Sequence, residues 1–185
     1  MYQALVAGLA RCKKLESALG ESLGWLEKQP PPFILAPRSH EGRTVKCFVP
    51  NNDGDEEPNR QGRLTQKISC PRLILEKPEA HFIWSFPEEE ISNAHLVCQA
   101  ARYLTALGWG IDSAYADAKL IDESEISRIC GERWTPRTNT SRDSGVLRTP
   151  VNGTLDDLKS VYQSKLNRLE DGSSLNCVQR PAIFD

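Results

Sequence analysis

The stretch "YLTALGWGIDSAYADAKLID", residues 103–122, decides how the chain is put together. It joins a helical apolar pattern to an alternating one through Gly108-Trp109-Gly110. Upstream, Pro87 and Glu88–Glu90 suit the positive end of a helix, and Val97, Ala100, Ala101, Leu104 and Leu107 recur at helical spacing. Gly108 falls one residue past Leu107, where a left-handed closing residue strains every side chain except glycine's. Trp109 adds anchoring bulk and Gly110 allows a tight reversal. Beyond them Ala114, Ala116, Ala118 and Leu120 alternate with Tyr115, Asp117 and Lys119, which predicts a strand whose small residues face a helix. The junction reads as a helix-to-strand return.

Working back from it, "LTQKISCPRLILEK" and "HFIWSF" flank the short turn "PEA" and predict a β-hairpin, with Pro71 marking an edge or a bulge in its first run. In "RTVKCFV" (43–49), Val45, Cys47 and Val49 alternate with Thr44, Lys46 and Phe48, as in a strand with one polar face. Residues 50–63 are dense in turn formers and nearly devoid of apolar side chains, which predicts a mobile loop or hairpin tip. "QPPPFILAP" breaks any helix, leaving Phe33–Leu35 as a short edge strand or extended linker. The opening residues predict one helix through Leu5, Leu9, Cys12 and Leu15 or Ala18, stopped by Gly20, and a short second helix over Glu21–Glu27.

On the other side, 132–153 reads as a long loop with one short strand near Val146–Arg148. Thr154 with Asp157 resembles a capping box, and Leu155, Leu158, Tyr162, Leu166 and Leu169 line one helical stripe that Gly172 ends. The tail 173–185 reads as irregular. The order is helix, strand, loop, hairpin, helix, strand, loop, helix: an α+β chain, as in a ferredoxin-like βαββαβ domain without its first strand.

Composition narrows the function. With 185 residues, 39% of them hydrophobic and 26% charged, the chain can bury a core of its own. No apolar run approaches the roughly 20 residues that span a bilayer. The net charge of −2 exerts no global pull on nucleic acid, but its distribution is uneven. Residues 110–127 carry five acids and one lysine, whereas 128–148 carry Arg128, Arg133, Arg137, Arg142 and Arg148 against Glu132 and Asp143. That basic stretch suits either phosphate or solvent. The six cysteines form no CxxC and no zinc spacing, and read as free thiols in a reducing cytoplasm, with no metal or cofactor site.

"YQALVAG", "HEGRTVKCFVP", "RLILEKPEAHFIWSF", "YLTALGWGIDSAYADAKLID" and "LRTPVNGTLDDLKSVYQSKLNRL" occur in the order and approximate spacing of the Csb-two family, which the chain resembles over roughly residues 2–170. These are CRISPR-associated RAMP proteins of type I-U (I-G) systems, fusions of a Cas-five-like half with a Cas-six-like half. The resemblance implies a Cas-five-like domain over 1–172, without its opening strand, and a tail leading toward the absent second half. It implies a non-catalytic Cascade subunit in antiviral defence that binds the 5′ handle of CRISPR RNA and contacts backbone and large subunits. No membrane or small-molecule substrate is implied. The intact fusion's Cas-six-like half would process precursor RNA, and a third reading is a remnant that makes protein contacts alone.

Candidate RNA contacts are Arg38, His40 and Arg43 before the first strand, Lys46 on it, Arg60, Arg63 and Lys67 flanking the acidic loop, and Arg133 and Arg137 in the arginine-rich stretch. Each also suits an ordinary solvated face. Asp53, Asp55, Glu56 and Glu57 repel phosphate and point to protein contact at that tip. His40, His81 and His95 are not paired in sequence as general acid–base catalysis of RNA cleavage needs. Trp84 and Trp109 sit beside apolar patterns and read as core rather than as stacking surfaces.

Overall fold

The structure is a computed structural model that describes residues 1–50, 64–74, 76–108, 113–137, 145–163 and 179–184. In chain order come α1 (Tyr2–Arg11), α2 (Ala18–Leu26), β1 (Phe33–Ala36), β2 (Ser39–Glu41), β3 (Val45–Pro50), β4 (Leu64–Ser69), β5 (Arg72–Ile74) and β6 (His81–Ile83). Then follow α3 (Ile91–Ala101), α4 (Glu123–Ile126), β7 (Glu132–Trp134), β8 (Pro136–Arg137), β9 (Gly145–Pro150), α5 (Thr154–Gln163) and β10 (Gln179–Phe184). Mixed helices and antiparallel sheets make this an α+β protein. Among the described residues the strands divide into sheets ordered β6-β1-β7, β8-β10-β9, β2-β5 and β3-β4.

The main core is helical. Tyr2, Leu5, Val6 and Leu9 lie at i, i+3, i+4 and i+7 on α1, and this buried stripe meets Leu23 and Leu26 of α2, Ala100, Ala101 and Leu104 around the end of α3, and Leu155 of α5. Leu9 and Leu23 are fully enclosed, each worth about 2 kcal/mol of transfer from water. Glu27, directly after α2, is 6% exposed. Its carboxylate accepts the backbone N–H of Gly153 (3.0 Å) and of Leu155 (2.7 Å) at the start of α5, and the Tyr2 hydroxyl (3.2 Å). One buried acid therefore joins α1, α2 and the positive end of α5. The Thr154 hydroxyl accepts the Val151 N–H at 2.9 Å and donates to the Val151 carbonyl at 2.7 Å, tying the loop before α5 to its first residue.

The opening helix is not continuous. α1 ends at Arg11, Lys13 takes φ 55°, and Ser17 caps α2 by accepting the Leu19 N–H. Gly20, expected as a stop, lies inside α2 because its missing side chain lets the helix pass against the Leu15 carbonyl. α3 likewise ends at Ala101, short of Leu107, because its last turn tightens: Tyr103 and Leu104 donate to Ala100 and Ala101. Gly108 does adopt a positive φ of 92°, but in the excursion between Ala106 and Ser113, which bridge each other, and not at a helix end. Trp109 and Gly110 lie outside the described residues.

Residues 114–122 are not a strand. Their alternation nonetheless holds: Ala114, Ala116 and Ala118 pack on the main core while Tyr115, Asp117 and Lys119 are exposed. Period two follows from an extended backbone, with or without a neighbouring strand.

Strand pairing departs most from expectation. The hairpin between 64–77 and 81–86 does not form. β4 pairs with β3, β5 with β2, and β6 with β1. β1, expected as a short edge strand or an extended linker, is the centre of its sheet, with Ile34 opposite both Phe82 and Trp134. Its prolines flank the ladder without interrupting it, and an uninterrupted apolar run suits a strand covered on both faces. Ile34 packs with Ala36, Phe82 and Trp134 on one face. The opposite face, with Phe33, Leu35 and Ile83, looks across a cleft of about 1040 Å³ toward Trp25, Ala94 and Val97. Two features join the cleft's helical walls. The Trp25 indole donates to Glu90 at 2.7 Å, and Trp25 meets Phe86 edge-on at 5.7 Å. Further on, 132–153 holds β7, β8 and β9 where one strand was expected. The tail, expected to be irregular, contains β10, which lies between β8 and β9.

Candidate nucleic-acid interface

The β2–β5 and β3–β4 ladders are two separate antiparallel pairs that follow one another along the same two chain segments, together forming the ribbon. The register runs Ser39↔Ile74 to Glu41↔Arg72, then Val45↔Ser69 to Pro50↔Leu64. Between these blocks Gly42–Thr44 oppose only Cys70–Pro71, so one extra residue forms a bulge. Pro71, which lacks a donor, sits at that irregularity and accepts the Gly42 N–H at 2.8 Å. The interruption falls at the proline where an edge or a bulge was expected, although the hairpin in which it was expected does not form. Residues 39–50 give the ribbon a length of roughly 40 Å at about 3.3 Å per residue.

Directly opposed residues share a face, so the ladder sorts the side chains. Lys46, Phe48, Leu64, Gln66 and Ile68 occupy one face of β3–β4, and Val45, Cys47, Thr65, Lys67 and Ser69 the other. The first face is open: Phe48 and Ile68 are each 63% exposed and Lys46 stands directly opposite Ile68. The second is half covered at Cys47, Thr65 and Ser69. An aromatic ring held in water beside an ammonium group offers a base a stacking surface and its phosphate a counter-charge.

Of the candidate residues, Lys46 and Lys67 share this ribbon but point to opposite faces. His40 is exposed on β2 opposite Leu73, and Arg43 is exposed within the bulge. Arg38 lies just before β2 and forms an exposed ion pair with Glu132 at 3.9 Å, a contact worth under about 1 kcal/mol. Arg133 on β7 places its guanidinium 4.4 Å from the centre of the Phe33 ring, and Arg137 is exposed on β8. Arg60 and Arg63, with Asp53, Asp55, Glu56 and Glu57, lie outside the described residues, as does Arg142. Sequence reasoning missed Phe48 and Ile68. The signal was available: alternation along 43–49 places Phe48 in phase with Lys46.

The remaining ionisable groups are dispersed. His40, His81 and His95 lie on β2, β6 and α3. Among the described residues no three His, Cys, Asp or Glu side chains gather to hold a metal ion, and no helix is long and apolar enough to cross a membrane. Cys98 is half-buried on α3; burial raises its thiol pKa, the nearby Asp117 charge raises it further, and Arg102 opposes both. The thiol therefore stays protonated at neutral pH. Iodoacetamide at pH 7.5 is expected to modify Cys98 roughly tenfold more slowly than the exposed Cys12, Cys70 and Cys130, read by peptide mass spectrometry.

No curated protein and no solved structure matches the chain. Residues 1–179 match the family described as CRISPR-associated protein, GSU0054 family, and with nearly the whole sequence matched the chain belongs to that family, whose place is in CRISPR–Cas defence.

Proposed function

We propose that the chain is a Cas-five-like subunit of a type I-U/I-G surveillance complex, with a ferredoxin-like core, and that it binds the 5′ handle of CRISPR RNA without cleaving it. The observation that carries this reading is the open ribbon face, where Phe48 is exposed beside Lys46. Single-stranded RNA is held by stacking its bases on aromatic rings and neutralising its phosphates, and both groups are present on this face. Lys67 on the reverse face and Arg43 in the bulge extend the positive charge along the ribbon. The exposed Leu73 and Ile74 at the other end suit contact with neighbouring protein subunits.

Fluorescence anisotropy with labelled repeat RNA tests the proposal. Phe48→Ala is expected to weaken binding about tenfold, the loss of one stacked base. Lys46→Ala is expected to weaken binding at low salt and to lower the salt slope by about 0.7, one single-strand phosphate contact. Absence of affinity for repeat RNA at 50 mM salt would refute the reading, and a discrete cleavage product on a gel would replace it with the endonuclease alternative.

A further inference from the structure

We propose a second site, a pocket for one unpaired nucleotide at the root of the ribbon, built from Phe33, Trp84 and Arg133. It rests on the RNA-binding reading above for the identity of the polymer, but its geometry is separate from the Lys46–Phe48 face. β1 runs into β2 through Pro37 and Arg38, so the sheet carrying Phe33 is continuous in chain with the ribbon.

Register explains why these groups meet. Leu35 opposes Arg133, and Phe33 lies two residues from Leu35, so Phe33 and Arg133 share one sheet face. β7 is an edge strand, and the Arg133 side chain reaches back across β1 to lie 4.4 Å from the Phe33 ring centre. Pro30, Pro31 and Trp84 complete a cavity of about 270 Å³ around them, and Ser85 stands at its margin.

Three properties point to a nucleotide. The cavity is a side arm of the larger cleft, which Phe33, Trp84 and Arg133 also line, and its own volume of about 270 Å³ has room for one flat ring system. The walls are mostly aromatic, proline and Ile83 surface, which suits the π-face of a base, with the Ser85 and Thr135 side chains among them. The third property is charge. A guanidinium lying over a ring keeps its in-plane N–H donors available, and these match a phosphate. No described acid forms an ion pair with Arg133: its neighbour Glu132 belongs to the other sheet face and pairs with Arg38. Arg133 covers one face of Phe33 and Trp84 packs partly on the main core, so a base would lie against the exposed part of Trp84 and the rim of Phe33 while Arg133 holds the adjoining phosphate.

The experiment uses the full chain labelled with 5-fluorotryptophan, with the Trp84 ¹⁹F resonance assigned through Trp84→Phe. Uridine and adenosine 5′-monophosphates are expected to shift that resonance and ribose 5-phosphate is not. Arg133→Ala should weaken nucleotide binding at least about fivefold, with the Trp25 resonance in α2 unmoved as the sign of intact folding. Arg133→Lys should restore little of it, because an ammonium lacks the planar fork. No shift with either nucleotide, or an equal response to ribose 5-phosphate, overturns the proposal. Phe48→Ala separates the two sites: it should reduce affinity for repeat RNA and leave mononucleotide binding intact. If repeat RNA does not bind while nucleotides do, the ribbon reading fails and the pocket stands; the reverse result removes the pocket alone.

Discussion

Replacing Glu27 with alanine is expected to lower the melting temperature by roughly 6–12 °C. The carboxylate is nearly sealed from water and accepts from Gly153, Leu155 and Tyr2. Removal relieves the cost of burying a charge, but it strands two backbone donors at the start of α5 where water reaches poorly. Hydrogen bonds to a charged group contribute about 1.5–3 kcal/mol each, and the three share one acceptor group and so do not add. A net loss of about 3 kcal/mol follows, at about 2–4 °C per kcal/mol for a chain of this size. Glu27→Gln keeps one acceptor oxygen and should lose about half as much. Calorimetry decides: an alanine variant melting within 1 °C of the parent would mean that α5 does not dock on this carboxylate.

Gly20→Ala is expected to cost about 2–3 kcal/mol, against the direction of helix propensity. Propensity alone favours alanine inside α2 by roughly 1 kcal/mol. The added methyl, however, would overlap the Leu15 carbonyl oxygen and stand 2.6 Å from its carbon. Relief requires the 12–17 corner to move, which withdraws the buried Leu15 side chain and disturbs the Ser17 cap. Overpacking of this kind costs about 1–3 kcal/mol and backbone leaves little room to yield. Gly24→Ala, four residues on in the same helix, is the control. Its methyl would meet Leu155 Cδ2 at an ordinary 3.7 Å, so the propensity gain survives and stability should rise by up to about 1 kcal/mol. Urea midpoints at an unchanged slope separate the pair. Equal midpoints for the two variants would show that the α1–α2 corner is not held as described.

Both variants lie where sequence patterns stop being informative. The buried stripe of α1 could be read directly, because helical period and apolar content together specify which side meets a core. The alternation at 114–120, the break in strand pairing at Pro71 and the positive φ of Gly108, though not its expected place at a helix end, were legible for the same reason: each depends on a few adjacent residues and their backbone geometry. The open ribbon face was half legible, since Lys46 and Phe48 share a phase within seven residues.

Which strands pair was not legible. β6 and β5 look equally suited to a local hairpin, and only the apolar demand of β1 on both of its edges assigns β6 to it. Nor was the meeting of Phe33 with Arg133, which depends on that same sheet register. Glu27, beside Lys28 and Gln29 at the end of a helix, has the local appearance of a solvated acid. Its partners at Gly153 and Leu155 are more than a hundred residues away in sequence. Local residue patterns specify where the chain can be helical or extended and which side of each element is apolar, because those choices are settled residue by residue. Strand partners, the buried carboxylate and the tight corner at Gly20 were decided by tertiary structure, because their free energy arises only between groups that the completed fold brings together.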